Sequence, residues 1–295
     1  MRHTLLALTL ASGLSLLASP AQAAPLAPEV AQVRELLRNA DLDDAIDGAD
    51  ALVKALPNDA MAWLWAGRVY GRQAQEANIL TAAKWAGRCR DAFEKAVELD
   101  PSLIEARFDL MQFYVMAPGI MGGGRDKAEA QAAKIEELDK ASGKVAAANL
   151  ARSDKDDTKA EALYHEALAS DAGSERALFA FNAFLQDKKR YDEARELWTT
   201  ALQVDAMRAM ARYQLGRLAA ITGEHLEDGL AYLDGYIEDG QIPEQLSLAA
   251  AYWRRGQLLE KLGRREDAIA SLEIAVNDRD VGDLAKADLK RVKRG

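Results

Sequence analysis

The amino-acid sequence predicts an all-α fold, a solenoid built from repeated pairs of helices. Two observations carry this prediction. In the segment 249–282 the large apolar residues, such as Leu259, Leu262, Ile269 and Leu272, recur at spacings of three and four, which is the period of an α-helix. In addition, similar residues recur 34 residues apart along the chain, as in helical solenoids.

The segment 249–282 shows the repeating unit most clearly. It predicts two amphipathic helices joined by a tight turn at Gly263, with Lys261 in the last turn of the first helix. Small residues at Gly256, Ala268 and Ala275 occupy the places where two paired helices must approach closely. This segment therefore serves as the template for the others.

The same unit recurs upstream. Ala160 and Ala194 lie 34 residues apart, and each is followed four residues later by an aromatic residue, Tyr164 and Trp198. Because both the spacing and the residue types match, these segments are interpreted as copies of one structural unit.

The pattern resembles the tetratricopeptide repeat, a helix-turn-helix unit that favours aromatic, small and Pro residues at fixed positions. The residues that carry the resemblance are Trp63, Gly67, Tyr70, Phe93, Ala96, Pro101, Leu215 and Gly216. The resemblance covers nearly all of the chain after residue 23. It implies a right-handed α-solenoid of about seven repeats.

We expect a single solenoid domain over residues 24–295. Its repeats are predicted at about 26–59, 60–103, 104–140, 141–174, 175–208, 209–248 and 249–282, followed by a capping helix at 283–294. The second repeat has ten additional residues between Tyr70 and Cys89, which predicts longer helices there. In the capping helix, Leu284, Ala287, Leu289 and Val292 are expected to face inward.

A Gly-rich stretch at 117–128 interrupts the third repeat. Pro118 cannot continue a helix, and three consecutive glycines, Gly122 to Gly124, predict a lengthened turn. A phosphate site is the alternative, but Arg125-Asp126 follows the glycines where a nucleotide-binding loop has Lys-Ser/Thr. The stretch also resembles a segment of exported tetratricopeptide proteins associated with TRAP-type transporters.

Residues 1–23 are predicted to be a cleavable signal peptide. Arg2 gives a positive start, an apolar run follows from Leu5 to Leu17, and Ala21-Gln22-Ala23 has the small residues of a cleavage site. We therefore expect a periplasmic protein, with secretion as the alternative. No later stretch approaches the roughly 20 apolar residues that a membrane-spanning helix needs.

Composition argues against several classes of function. The net charge of −9 makes nucleic acid an unsuitable partner, because phosphates require a face rich in Lys and Arg. Cys89 is the only cysteine, so an internal disulfide is impossible, and we expect its side chain to be buried.

Catalytic and metal-binding motifs are missing from the sequence. Of the three histidines, His3 belongs to the signal peptide, and His165 and His225 lie in different repeats. No second His follows His165-Glu166 at the spacing of a zinc protease. We therefore predict no catalytic residue, no metal site and no cofactor, and expect that the protein is not an enzyme.

The resemblance implies that the first helices of the repeats line a concave groove, mainly through positions 2, 5, 9 and 12 of each unit. Carried over to this sequence, the candidate binding residues are Arg68, Phe108, Arg152, Arg176, Phe179, Tyr213, Arg217 and Trp253. Aromatic rings flanked by guanidinium groups suit an extended peptide with acidic groups or a free carboxylate. The aromatic residues could instead pack in the core. For Phe179 both interpretations stand, whereas Tyr213 and Trp253 are expected to face the groove.

The predicted function is a non-enzymatic scaffold that binds a peptide segment of a partner protein. The alternative is a carrier of a small ligand or lipid, possessing an apolar pocket near Phe108, Met111 and the Gly-rich stretch.

Overall fold

The computed structural model describes residues 27–38, 42–240, 242–243 and 246–294. Within these ranges the regular secondary structure consists of fifteen α-helices and two short 3-10 helices, with no strand. The predicted signal peptide, residues 1–23, lies outside the described residues. The prediction of an all-α fold is confirmed.

Fourteen of these helices pair into seven hairpins, and the fifteenth follows them. Their bounds are α1 Pro28–Arg38, α2 Leu42–Ala55, α3 Ala60–Glu76, α4 Ile79–Leu99, α5 Ile104–Met116, α6 Arg125–Leu138, α7 Lys140–Ser153, α8 Asp157–Ser170, α9 Glu175–Asp187, α10 Tyr191–Ala201, α11 Arg208–Thr222, α12 Leu226–Asp239, α13 Leu248–Lys261, α14 Arg265–Ala275 and α15 Gly282–Arg294. Each helix packs against the next, and some first helices also pack side by side, α5 with α7, α7 with α9 and α11 with α13. This neighbour-to-neighbour packing is the architecture of a solenoid.

Small residues allow the two helices of a hairpin to approach closely. A Cβ atom added to Gly256 in α13 would lie 2.6 Å from Cγ of Leu272 in α14. At the equivalent place in the preceding hairpin, a Cβ atom on Gly216 would lie 2.3 Å from Cγ of Leu233. Both leucine side chains are fully buried, so any larger residue at these glycines would push the helices apart.

The second hairpin is longer than the template, as predicted. Helices α3 and α4 have 17 and 21 residues, whereas α13 and α14 have 14 and 11. Cys89 lies in the extended α4 and is buried, which confirms the expectation. Burial raises the pKa of its thiol to about 12, so the thiol is protonated at neutral pH and is a weak nucleophile.

The Gly-rich stretch forms a compact turn between α5 and α6. The backbone N–H of Gly122 donates to Gly119 O, that of Gly123 to Pro118 O, and that of Gly124 to Tyr114 O. These three N–H groups, which a phosphate site would need, are therefore already satisfied within the turn. This agrees with its interpretation as a structural element.

Helix α15 presents only part of its predicted face to the core. Leu284 is 52% exposed and Ala287 is also exposed, whereas Ala285 and Asp288 are buried. The prediction is therefore correct for Leu289 and Val292, which pack against the core, and wrong for Leu284 and Ala287. Asp288 turns inward because it accepts a hydrogen bond from the indole N–H of Trp253, at 2.8 Å.

The first and last elements of the described chain are in contact. Arg38 in α1 donates to Oδ1 of Asp280 at 2.7 Å, and Arg279 forms an ion pair with Glu35 of α1. Asp280 and Arg279 lie in the segment that joins α14 to α15. We refer to these two ion pairs as the end pairs.

Candidate functional site

The first helices α3, α5, α7, α9, α11 and α13 form one surface, which we call the inner face. Its curvature is visible in a contact between helices that are not neighbours. Arg176 in α9 reaches over α7 and donates to Glu105 Oε1 in α5 at 2.9 Å. Its guanidinium also lies 4.4 Å from the ring centre of Phe108, again in α5.

This contact requires a concave inner face. Packed helices lie 8–10 Å apart, so in a flat layer α5 and α9 would be separated by about 18 Å. The two side chains meet only because the layer bends around α7. Helix α7 permits the bend because its buried positions, Ala141, Val145 and Ala148, carry small side chains. It forms the floor of the groove.

In the N-terminal part of the inner face, each candidate arginine has a carboxylate partner. Arg68 Nε donates to Asp109 Oδ2 at 2.6 Å, and Arg176 pairs with Glu105 as described. Arg152 Nη2 lies 3.5 Å from Oδ2 of Asp187. The charges of these arginines are therefore balanced within the protein.

The Arg68–Asp109 pair is half-buried, with both side chains 29% exposed. Burial raises the pKa of Asp109, and the neighbouring charge and hydrogen bond of Arg68 offset that effect only partly. Removal of Arg68 would therefore raise the pKa of Asp109 further, because it would remove the effects that oppose burial.

The C-terminal part of the inner face differs. Arg217 in α11 contacts only an amide oxygen, Gln186 Oε1, at 3.4 Å. Arg254 in α13 donates to another amide oxygen, Gln257 Oε1, at 2.9 Å, and lies 3.9 Å from the ring centre of Trp253. Within the described chain, neither arginine has a carboxylate oxygen within 4 Å.

Arg254 is half-buried in α13. Its Nε is buried and lacks a hydrogen-bond acceptor among the described residues. Burial lowers the pKa of its guanidinium. Tyr213, which also makes a side-chain hydrogen bond with Arg254, opposes this effect, as does the charge of Asp288, whereas the charge of Arg217 lowers the pKa further. Arginine nevertheless stays charged in proteins, so the cost of burying this charge is not relieved by deprotonation.

The candidate aromatic residues are less exposed than the groove interpretation requires. Phe108 lies half-buried beneath Arg176, and Phe179 is half-buried with its ring edge toward Trp198 at a centroid distance of 5.4 Å. Tyr213 and Trp253 are only 7% and 8% exposed, so the expectation that they face an open groove was wrong.

The burial of Tyr213 and Trp253 has a physical reason in each case. The Trp253 indole is turned toward α15, where its N–H finds Asp288. Tyr213 packs against Tyr236 of α12 at a centroid distance of 5.7 Å. The polar atom of a buried aromatic side chain usually has a hydrogen-bond partner, and α15 supplies one for Trp253.

Sequence reasoning missed Arg254 and Asp288. Arg254 occupies position 6 of its repeat, outside the four positions considered, and Asp288 was not among the residues expected to face inward from α15. The corresponding position 6 in the third repeat is Asp109, so a comparison of position 6 between repeats could have revealed the reversal of charge.

A cleft of about 440 Å³ lies between α3, α4, α5 and the Gly-rich turn. Its lining is mainly apolar and includes Ala74, Ala86, Phe93, Phe113, Met116 and Met121. Phe108 and Met111 are not part of this lining, and Met111 is buried. The observed cleft therefore lies beside the Gly-rich turn, as predicted, but Phe108 and Met111 do not line it.

Within the described ranges, no group of three or more His, Cys, Asp or Glu side chains is arranged to hold a metal ion. None of the helices in the same ranges combines the length and the apolar character needed to cross a membrane.

The sequence matches descriptions of the tetratricopeptide repeat at residues 30–104 and 184–244, and again at residues 249–277. Together these ranges make up more than half of the chain. No curated protein matches the sequence.

Two solved structures illustrate the structural likeness. A tetratricopeptide repeat protein from Parabacteroides merdae is 14% identical, with a TM-score of 0.45, over 90% of this chain and 97% of its own. A chain of the APC/C hetero-tetramer Cut9-Hcn1 is 15% identical, with a TM-score of 0.44, over 91% of this chain. The present chain spans 49% of that second protein's length.

Proposed function

The chain belongs to the tetratricopeptide repeat family, and from that premise we propose that it is a non-enzymatic scaffold whose inner face binds a peptide segment of a partner protein. Repeats of this family are generally protein–protein interaction modules. The partner is thus a protein, and its binding segment is an extended peptide that follows the groove.

The observation that carries this proposal is the concave inner face with its row of arginines. Arg68, Arg152, Arg176 and Arg217 lie half-buried along the first helices of four different hairpins. An extended peptide repeats about every 3.3 Å and can meet several such groups in succession. Guanidinium groups bind carboxylates through paired hydrogen bonds, which provides specificity along the groove.

We further propose that the protein acts in the periplasm after removal of residues 1–23. The sequence Ala21-Gln22-Ala23 supports this, since small residues precede the site that a signal peptidase cleaves. Intact-mass measurement on protein from its own cells tests the proposal. A mature chain that begins at Ala24 in the periplasmic fraction supports export, and a cytoplasmic chain that begins at Met1 contradicts it.

The scaffold proposal is tested by native mass spectrometry of the protein isolated gently from its own cells. We expect a co-purifying polypeptide of defined stoichiometry. In cells that express Arg217→Ala, the amount of bound polypeptide should fall. Arg195→Ala, which removes an arginine from the second helix α10 rather than from the inner face, serves as the matched control and should retain the polypeptide. Equal retention by both variants would contradict binding at the inner face.

A second candidate function, a carrier of a small apolar ligand, is favoured by the cleft beside the Gly-rich turn. Its volume of about 440 Å³ is within the range of small-molecule sites, and its lining is mainly apolar. In the same mass spectra a carrier would show a bound mass of a few hundred daltons instead of a polypeptide.

The variant Ala86→Trp separates the two candidates. Ala86 belongs to the second helix α4 and lines the cleft, so a tryptophan there should fill the cleft. Of the inner-face residues, Arg68 and Asp109 also line the cleft, whereas Arg152, Arg176 and Arg217 do not. Loss of a small bound molecule in Ala86→Trp supports the carrier, whereas retention of a bound polypeptide supports the scaffold.

A further inference from the structure

Two departures from the regular repeat meet at the cleft beside the Gly-rich turn. The ten additional residues of the second repeat fall within 71–88, and Gly71, Ala74 and Ala86 of that stretch line the cleft. The Gly-rich stretch of the third repeat contributes Met121 to the same lining. The two irregular segments of the chain therefore form one structural feature together.

The cleft arises from a difference in helix length. Helix α3 has 17 residues, whereas α5, the next first helix, has 13 and ends before Pro118. Because Pro118 cannot continue a helix, the chain turns away and leaves the last turn of α3 without α5 beside it. The Gly-rich turn covers only part of this gap, and the cleft of about 440 Å³ remains open.

Small side chains give the cleft its depth. A Cβ atom added to Gly67 would lie 2.5 Å from Cδ1 of Phe93, so α3 and α4 are in close contact at that level. About two turns further along α3, the lining residues of the two helices are the small Ala74 and Ala86. Methyl groups thus replace an aromatic ring between the helices, and space is left for a ligand.

The size of the cleft suits an apolar molecule of elongated shape. An apolar cavity of about 150 Å³ holds one benzene ring, so about 440 Å³ accommodates roughly three times as many atoms. This is more than the side chain of tryptophan, the largest amino acid. The lining extends over residues 68–75 of α3 and 109–117 of α5, about two helical turns of each.

Polar residues lie at the edges of this lining. Arg68 and Asp109, the first lining residues of α3 and α5, form an ion pair at 2.6 Å and join the two helices at one end of the cleft. Arg72, Gln75 and Gln112 are exposed and border the opening. An apolar interior with a polar, hydrated rim suits a ligand that has an apolar body and one polar end.

Apolar side chains also surround the opening on its outer side. Ile120 is 96% exposed and Met116 is 64% exposed. Met116 and Met121 line the cleft, and Ile120 precedes Met121 in the Gly-rich turn. Exposed apolar residues next to an apolar cavity typically mark a binding site, and methionine side chains adapt to ligands of irregular shape.

We infer that the cleft binds the acyl chain of an amphiphile, a fatty acid or a single-chain lipid, whose polar head stays at the rim. The inference rests on the second candidate function, the carrier, and names the chemical class of its ligand. The chain packs against Phe113, Met116 and Met121, and the head remains hydrated beside Gln75 and Gln112. Because apolar burial drives this binding, the length of the chain determines the affinity.

A chain-length series on the wild-type protein is the first test. The protein is titrated with cis-parinaric acid, a fluorescent fatty acid, which is then displaced by saturated fatty acids from octanoic to hexadecanoic acid, each below the concentration at which it aggregates. Each methylene group that enters the cleft should raise the affinity about threefold to fourfold. Once the chain fills the cleft, longer chains should gain little. An affinity independent of chain length would overturn the inference.

The variant Ala86→Trp tests the assignment to this cleft. Because the indole displaces at least about two methylene groups of the ligand, the affinity for hexadecanoic acid should fall about tenfold or more. Ala83→Trp is the matched control, since Ala83 is exposed on the same helix and does not line the cleft. Equal affinities of the two variants would overturn the inference. If Ala86→Trp loses its helical circular dichroism, Ala74→Leu on the opposite wall replaces it.

Two further arms distinguish a free fatty acid from one taken up at a membrane. Anthroyloxy-labelled hexadecanoic acid is supplied either in buffer or in vesicles of phosphatidylethanolamine and phosphatidylglycerol. A transfer rate that rises with vesicle concentration and falls in Ile120→Asp identifies uptake at the membrane surface. A rate that is independent of both identifies uptake from water. Absence of transfer in both arms would overturn the inference.

Native mass spectra of the protein from its own cells separate this inference from the carrier function. A bound small molecule without an acyl chain would overturn the inference and leave the carrier intact. If no small molecule is bound and cis-parinaric acid does not bind either, the carrier fails together with the inference. Neither outcome affects the scaffold proposal, which depends on the inner face.

Discussion

At the two ends of the inner face, arginine side chains have different partners. At the N-terminal end, Arg68 and Arg176 are paired with Asp109 and Glu105, and these pairs connect first helices of different hairpins. At the C-terminal end, Arg217 has no carboxylate partner among the described residues. Arginines at equivalent positions therefore stabilise the curved groove at one end and remain available at the other.

This difference shows that a row of similar residues in a repeat protein need not have a single role. The two arginines differ in the residue at position 6 of the following repeat, which is Asp109 in one case and Arg254 in the other. A substitution that changes the partner should therefore change the role, and the following predictions use that relation.

The largest effect is expected for Asp288→Ala at the C-terminal end. Asp288 holds Trp253 and Gln257 by hydrogen bonds of 2.8 Å each, and it is the carboxylate that anchors α15 there. Its removal leaves a buried indole N–H without an acceptor, so the free energy of unfolding should fall by about 2–3 kcal/mol, measured by urea denaturation. Asp283→Ala, at an exposed position of the same helix, is the control and should have little effect.

Low pH should reduce the stabilisation that Asp288 provides. Burial raises the pKa of Asp288, but hydrogen bonds from Gln257, Trp253 and Arg291 outweigh it, so the pKa lies below its usual range. A lowered pKa in the folded state means that the stabilisation is complete above the unfolded value, about 3.9, and is lost as pH falls through the folded value. The difference in melting temperature between wild type and Asp288→Ala should shrink below about pH 4. A constant difference down to pH 2 would show that the carboxylate charge is not involved.

A smaller destabilisation is expected for Arg68→Gln at the N-terminal end. The change leaves Asp109 half-buried without its counter-ion, so the free energy of unfolding should fall by about 1–2 kcal/mol at neutral pH. The loss should lessen in acid, because burial has already raised the pKa of Asp109 and protonation removes the uncompensated charge. Denaturation at two pH values checks this, and an equal loss at both would contradict it.

The smallest effect, and one of opposite sign, is expected for Arg254→Glu. In this variant a carboxylate follows Arg217 at position 6 of the next repeat, as Asp109 follows Arg68. The free energy of unfolding should rise by about 0.5 kcal/mol, the usual magnitude for a partly exposed ion pair. The variant should at the same time lose any preference for acidic peptides. A destabilised variant would show that Arg217 and Arg254 do not face each other.

The hairpins could be predicted from the sequence because their determinants are local. Helical periodicity, the turn at Gly263 and the small residue at Gly256 all act within one repeat, so the local sequence contains the necessary information. The ten additional residues before Cys89 likewise predicted the longer α3 and α4.

The chemistry of the groove could not be predicted in the same way. Arg176 meets Glu105 across 71 residues, and only because the layer bends around α7. Local patterns contain no information on such a bend. Similarly, Asp288 is buried where it accepts a hydrogen bond from Trp253, 35 residues earlier in the chain, whereas the apolar Leu284 stays exposed.

The end pairs give the solenoid a property that a linear stack of repeats lacks. In an open stack the terminal repeat has one neighbour, and a change of curvature in one hairpin simply swings the free end. Here Glu35 and Arg38 tie α1 to the segment before α15, so the total bend around the loop is fixed. If the curvature of one hairpin decreases when a ligand binds, the curvature of the others must increase, or the end pairs must break. The Arg38–Asp280 pair is solvent-exposed, whereas Glu35 in the other pair is half-buried, so we expect added salt to weaken the first pair more than the second.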